Sequence, residues 1–102
     1  MKLFIVTCLK DYQEHVQKIL REANISVFSA TDIIGYKNQQ APNLLEEWFA
    51  TGDEKFDSLM IFSFTDDANA EHGLALIKNY NEEKKIAFPV RAFIVPVEKS
   101  IY

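Results

Sequence analysis

Cysteine and glycine are scarce in this chain of 102 residues, and acidic residues outnumber basic ones. Cys8 is the single cysteine, so no disulfide can form within the chain. Only three glycines are present, and none of them builds a glycine-rich P-loop. The apolar run in "MKLFIVTCLKDY" is too short for a signal peptide or a membrane span. These absences predict a reduced, cytoplasmic protein.

The charge balance disfavours one large class of partners. The chain has 11 Lys and Arg against 15 Asp and Glu, which gives a net charge of -4. Nucleic-acid binding requires a basic surface that neutralises phosphates, so we expect no nucleic-acid partner. The chain also lacks an HExxH sequence and a Ser-His-Asp order, and we expect no catalytic activity.

Apolar residues make up 48% of the chain and aromatic residues 13%, enough for a folded core. The length predicts a single domain over residues 1–102. One core is marginal at this size, and oligomerisation would help to cover apolar surface.

The order of apolar patterns predicts the fold. Strand-like segments are "KLFIVTCL", "ISVFSATDIIGY", "DSLMIFSF" and "PVRAFIVPV". Helical spacing follows the first segment, and a second helix is predicted from about Ala68 to Asn81. A polar linker follows that helix, and residues 37–56 are predicted as a long loop. The order β, α, β, β, α, β indicates a ferredoxin-like α+β fold, a four-stranded antiparallel sheet with two helices on one face.

Five positions carry local structural signals. Asp11 is predicted to cap the first helix and Asn24 to end it. The segment "TDD" is predicted to cap the second helix. Gly73 inside that helix indicates close approach of a neighbour, since glycine is otherwise unfavourable there. Pro96 lacks an N–H and is therefore predicted at a sheet edge or at the last unpaired position of its strand.

The predicted strands have apolar residues at both odd- and even-numbered positions, and therefore on both faces of the sheet. Two helices can cover only one of these faces. The second face would expose a wide apolar patch in a monomer, so we expect another copy of the chain to cover it in a closed homo-oligomer. The residues that carry this pattern are Leu3, Phe4, Ile5, Val6, Leu59, Met60, Ile61, Phe62, Phe93, Ile94 and Val95.

Several segments in this order resemble a known family. "MKLFIVTCLKDYQEHVQKIL", "ISVFSATDIIGYKNQ" and "RAFIVPVE" resemble the first strand and helix, the second strand and the last strand of PII-like signalling proteins. The chain resembles a short, divergent member of this nitrogen regulatory protein PII superfamily. The resemblance implies a homotrimer with its sheets packed together, which binds a small-molecule effector between subunits and regulates a partner.

The resemblance also implies ligand-binding residues. Ser29, Gly35 and Gln39 stand where the family has Thr, Gly and Gln, and Arg91 stands at its phosphate-contacting Lys. Lys37 replaces a family glycine at the base of the loop. The implied ligand is an adenine nucleotide, another anion or a divalent metal. The glycine-rich segment before the last strand is replaced by "YNEEKKIAFP", so ligand identity stays open.

Arg91 has an alternative interpretation that needs no ligand. An arginine at the start of a strand often forms an ion pair with a surface carboxylate, here Glu98 or Asp32.

The predicted loop corresponds to the family's T-loop, which contacts partner proteins. A membrane transporter or efflux pump is the partner that the resemblance implies. The alternative is that the loop folds back onto the trimer. The apolar cluster proposed for partner binding is Leu44, Leu45, Trp48 and Phe49.

Two other functions remain as alternatives. A CutA-like metal-tolerance trimer would use Cys8, His15 and His72 as candidate metal ligands, with Asp11 four residues before His15. A small ferredoxin-like enzyme would bind substrate on the open sheet face, and it would need polar residues there.

Overall fold

The computed structural model describes residues 1–36, 55–85 and 88–101. The predicted order of elements is confirmed. The strands are β1 (Lys2–Leu9), β2 (Ser29–Tyr36), β3 (Lys55–Thr65) and β4 (Arg91–Pro96). The helices are α1 (Gln13–Glu22) and α2 (Asp67–Lys84), and a 3-10 turn over Lys10–Tyr12 precedes α1. Of the predicted loop over 37–56, residues 37–54 lie outside the described residues, while Lys55 and Phe56 belong to β3 and pair with Tyr36 and Gly35.

The four strands form one antiparallel sheet in the order β2-β3-β1-β4. This is the predicted ferredoxin-like α+β fold. The core lies between one face of the sheet and the two helices, because the even-numbered residues of β1 and β4 and the odd-numbered residues of β3 point to the helices. The buried strand residues of this core are Phe4, Val6, Cys8, Leu59 and Ile61.

The end of α1 confirms the sequence prediction and its start does not. Asn24 has φ 62°, and the Ile25 N–H donates to the Leu20 carbonyl at 2.8 Å, as in a helix that ends at a left-handed residue. The predicted cap at Asp11 is wrong, because Asp11 lies in the 3-10 turn and Tyr12 precedes α1 without a side-chain cap. The 3-10 turn displaces the helix start by one residue, so that Tyr12 rather than Asp11 is the N-cap.

Helix α2 begins as predicted but is longer. The Asp66 side chain accepts a hydrogen bond from the Asn69 N–H at 2.7 Å, which confirms the cap. The helix continues to Lys84, beyond the predicted end, and stops where Lys85 adopts φ 48°. The extra turn, "EEK", is polar but consists of good helix formers.

Gly73 is close to a neighbouring side chain, as predicted. A Cβ atom at this position would lie 3.0 Å from Cζ of Phe4 and 3.3 Å from its Cε2. Phe4 is fully buried in β1, so the glycine allows α2 to pack directly on the sheet.

The predicted second strand is too long at its start. β2 begins at Ser29 rather than Ile25. Ile25 is buried in the core while Val27 is exposed, and the Val27 carbonyl accepts a hydrogen bond from Ser63 Oγ at 2.6 Å. The Ser63 hydroxyl therefore makes the hydrogen bond to the Val27 carbonyl that a neighbouring strand would otherwise make.

The other face of the sheet, called the open face below, carries apolar side chains that no described helix covers. Phe64 is 58% exposed, and Val95 and Phe93 are also exposed. Leu3, Ile5 and Phe62 are half-buried on the same face, as the strand register requires. The expected apolar face is thus present, and its burial in an oligomer stays a prediction.

In the described part of the chain, neither helix has the length and apolar character needed to cross a membrane.

Candidate functional site

The candidate site lies on the open face, where β1 ends and β4 begins. Thr7 of β1 is the cross-strand partner of Arg91 of β4. Thr7 is also opposite Met60 of β3, which in turn is opposite Thr31 of β2. A polar threonine and an arginine therefore lie side by side at one end of a largely apolar face. We call this pair the Thr7–Arg91 site.

Both residues of the site have a buried polar atom without a hydrogen-bond partner. Among the described residues, Thr7 Oγ1 and Arg91 Nε are the two buried side-chain polar atoms in this condition. Thr7 is only 4% exposed. Leaving such a group unpaired typically costs about 1–3 kcal/mol, so two neighbouring cases make this pair the candidate for a binding site.

The alternative ion pairs for Arg91 are not formed in the described part of the chain. Asp32 instead pairs with Lys10, with 3.2 Å between Lys10 Nζ and Asp32 Oδ2. This pair is exposed and lies on β2 and the 3-10 turn. Within the described ranges, Arg91 therefore keeps its Nε donor for a ligand.

Two aromatic residues pack against each other at the adjacent end of the sheet. Phe88, which precedes β4, lies against Phe56 of β3 with 6.0 Å between ring centroids. Phe56 is opposite Gly35 of β2. Gly35 is buried in this region.

The structure places the predicted ligand residues on one face but does not bring them together within one chain. Ser29, Gly35 and Arg91 all belong to the open face by register. Ser29 is exposed on β2, and β3 and β1 separate β2 from β4, which at the usual strand spacing is about 14 Å. Lys37 and Gln39 lie outside the described residues, as do Leu44, Leu45, Trp48 and Phe49.

The candidate metal ligands are separated. Cys8 is buried on the helix-covered face, and burial raises the pKa of its thiol to about 11, which disfavours the thiolate that binds metals. His15 lies against Tyr80, with 5.8 Å between ring centroids, and His72 is exposed on α2. Within the described ranges no three His, Cys, Asp or Glu residues form a group able to hold a metal ion.

Sequence reasoning missed two features of this region. Thr7 is the one hydroxyl residue in the apolar segment "KLFIVTCL", and that exception was the available signal. The second feature is Asn81 of α2, whose side-chain amide binds the backbone of Val90 immediately before Arg91. Asn81 Nδ2 donates to the Val90 carbonyl at 2.9 Å, and Oδ1 accepts from the Val90 N–H at 2.9 Å. Nothing in the local sequence indicates this contact.

Comparison with known proteins supports the fold. No protein-family model matches the chain, and no curated protein sequence does. Among solved structures, the chain has the fold of PII-like proteins. One such structure is that of CPII, a nitrogen regulatory PII-like protein from Thiomonas intermedia K12, bound to ADP, AMP and bicarbonate. The similarity covers 98% of this chain and 94% of CPII, with a TM-score of 0.64 and 13% sequence identity. The resemblance is thereby confirmed at the level of the fold.

Proposed function

We propose that this chain is a PII-like regulatory protein that binds a small anionic effector at the Thr7–Arg91 site and acts by binding rather than by catalysis. The observation that carries this proposal is the pair of buried, unpartnered polar atoms on neighbouring strands. The fold shared with CPII, which has been solved with nucleotides and bicarbonate bound, supports it.

The chemistry of the site fits an anion. A guanidinium keeps its charge at any physiological pH and can contact a phosphate or carboxylate through two parallel hydrogen bonds. Thr7 Oγ1 can donate a further hydrogen bond to the same ligand. A bound anion would satisfy both residues at once, which an isolated surface ion pair would not.

A homotrimer completes the proposal. The exposed Phe64, Phe93 and Val95 give the open face an apolar surface that a second copy would bury. Ser29 and Gly35 lie on this face as well, on a strand about 14 Å from β4 in the same chain. A second copy packed face to face on the open face would supply these two residues to the Thr7–Arg91 site.

The regulated partner is proposed to be a membrane transporter or efflux pump, contacted through the segment that contains Trp48 and Phe49. Effector binding would shift the population of partner-binding conformations, since a ligand changes an equilibrium only by binding its states with different affinity. A soluble, cytoplasmic trimer suits this role.

The direct test is thermal unfolding of the protein with ADP, AMP, bicarbonate and divalent metals, each added separately. A ligand that binds the native state raises the unfolding midpoint. We expect one of the anions to raise it, Arg91→Ala to abolish the shift and Arg91→Lys to weaken it. Lys84→Ala, which removes an exposed cation at the end of α2, should keep the full shift.

Two results would contradict the proposal. A full anion-induced shift in the Arg91→Ala protein would remove the assigned role of this residue. A shift with a divalent metal alone would favour the CutA-like alternative.

A further inference from the structure

The second candidate surface is the outer edge of β4. β4 is the last strand of the sheet and pairs with β1 on one side, and among the described residues no strand pairs with its other side. An unpaired edge presents backbone N–H and C=O groups to any chain that can extend the sheet.

The pairing register of β1 and β4 determines which backbone groups of β4 point outward. The Val97 N–H donates to the Met1 carbonyl, which continues the antiparallel register of β1 and β4 by one residue. Hydrogen-bonded pairs recur every second residue in such a ladder, so the odd residues of β4 bond to β1. The backbone groups of Ala92 and Ile94 therefore point outward. Pro96 agrees with this assignment, because its missing N–H would also point outward, as predicted for an edge proline.

Asn81 marks one end of this edge. Val90 is even-numbered, so its N–H and C=O also point outward, and the Asn81 amide binds both of them at 2.9 Å. The side chain thus makes the two hydrogen bonds that a neighbouring strand would make at this position. The five residues from Arg91 to Val95, about 17 Å of strand, lie between this contact and Pro96.

A groove runs beside these outward groups. It has a volume of about 790 Å3, within the range of ligand-binding clefts, and it separates β4 from the outer side of α2. Its apolar walls come from both elements. The apolar residues are Leu74, Ala75, Ile77, Val90, Ala92 and Phe93.

Charged residues of α2 line the same groove. Lys78 is exposed and forms no ion pair within the described ranges, and Glu71 lies seven residues earlier on the helix. Glu71 and Lys78 are therefore about 10.5 Å apart along the helix, a distance that about three residues of an extended peptide would span. Lys78 lies one helical turn from Asn81, so it is near the end of the groove at Val90. An acidic side chain of a bound peptide would be stabilised there.

We propose that this groove binds an extended segment of a partner protein, which adds to β4 as a fifth strand. Its backbone pairs with Ala92 and Ile94, one of its apolar side chains contacts Leu74, and an acidic side chain lies beside Lys78. A helix and a free strand edge that share an apolar groove provide main-chain hydrogen bonds for affinity and side-chain pockets for specificity. This interaction is separate from effector binding at the Thr7–Arg91 site. Arg91 also borders the groove, so the test leaves it unchanged.

The experiment follows the amide signals of 15N-labelled full-length protein by NMR. In the protein alone we expect the N–H groups of Ala92 and Ile94 to exchange with solvent at least tenfold faster than those of Phe93 and Val95. The probes are terminally blocked six-residue peptides of alternating Val and Thr that carry one Asp or, as the control, one Lys. We expect the Asp peptides to shift and protect Ala92 and Ile94, and to bind several-fold more tightly than the Lys peptides.

Two matched pairs of variants test the assignment. Ala92→Pro removes an outward N–H and should abolish peptide binding, while Ala92→Ser keeps the N–H and should bind normally. Lys78→Ala should remove the preference for Asp peptides, while Lys84→Ala should retain it. Lys78→Ala changes an exposed side chain and keeps the test decisive even if Ala92→Pro fails to fold.

Three results would overturn the proposal. Slow exchange at Ala92 and Ile94 in the protein alone would mean that the edge is already covered and cannot accept a partner strand. Absence of binding by the Asp peptides would exclude the proposed occupant. An unchanged preference for Asp peptides in Lys78→Ala would exclude the assigned charge recognition.

Discussion

Gly73 of α2 lies directly over the ring of Phe4 in β1, so close that a Cβ at Gly73 would be 3.0 Å from Phe4 Cζ. The two residues define how near the helix comes to the sheet. Alanine at position 73 would favour the helical state by about 1 kcal/mol, but the added methyl group must displace a fully buried ring.

We expect Gly73→Ala to lower the free energy of unfolding by about 1 kcal/mol, because overpacking outweighs the gain in helix propensity. Urea unfolding followed by circular dichroism measures this change. The control is Asn79→Ala, at an exposed position of the same helix, which should stabilise slightly. Stabilisation by both substitutions would show that the Phe4 ring moves aside without cost.

Asn81→Ala should also destabilise the protein, by about 2 kcal/mol, because two hydrogen bonds to the Val90 backbone are lost together. The loss is concentrated at the start of β4, so amide exchange at Val90 should rise more than at Ile61 in the core. Asn79→Ala again provides the control. Equal exchange at Val90 in both proteins would show that the Asn81 contact is dispensable.

The open face provides a test of assembly. Phe64 is 58% exposed in the single chain, so Phe64→Asp should cost the monomer little while introducing a charge into the proposed interface. We expect light scattering after size exclusion to show a trimer for the original protein and a monomer for this variant. His72→Asp, on the exposed side of α2, should remain trimeric. A monomeric original protein would refute the predicted burial of this face.

Alkaline pH should weaken the fold through Cys8. Burial raises the pKa of its thiol from 9.0 to about 11, so the folded state holds this proton more tightly than the unfolded chain. The stability linked to this proton is complete below pH 9 and is lost as pH rises towards 11. Burial also raises the pKa of Tyr80, which adds a loss of the same sign.

The measurement is the free energy of unfolding at pH 8 and at pH 10.5. We expect a decrease for the original protein and a smaller decrease for Cys8→Ala, in which only the tyrosine part remains. Identical pH dependence in the two proteins would show that Cys8 is accessible to ionisation in the native state.

Much of the fold was predictable because it depends on short-range signals. Alternating and continuous apolar residues identified the four strands, and Asn24, Asp66 and Gly73 each act through contacts that their residue type favours. The errors were also local. A 3-10 turn competed with the Asp11 cap, and a side-chain hydroxyl replaced ladder bonds before Ser29.

The candidate site was only half predictable. Arg91 was identified because the resemblance pointed to it, but its significance depends on Thr7, which is 84 residues away and becomes a neighbour only through the register of β1 and β4. The unpartnered state of both atoms depends on the packing around them. The Asn81 contact depends on the fold bringing the end of α2 beside Val90, which the sequence around Asn81 did not indicate.

The side-chain amide of Asn81, in α2, holds the start of β4 through two hydrogen bonds to the Val90 backbone. The position of Arg91 opposite Thr7 therefore does not rely on the length of the connection between α2 and β4. We expect residues inserted between Lys85 and Phe88 to leave both hydrogen bonds to Val90 intact. Insertions at this position should accordingly be tolerated without a change in strand register.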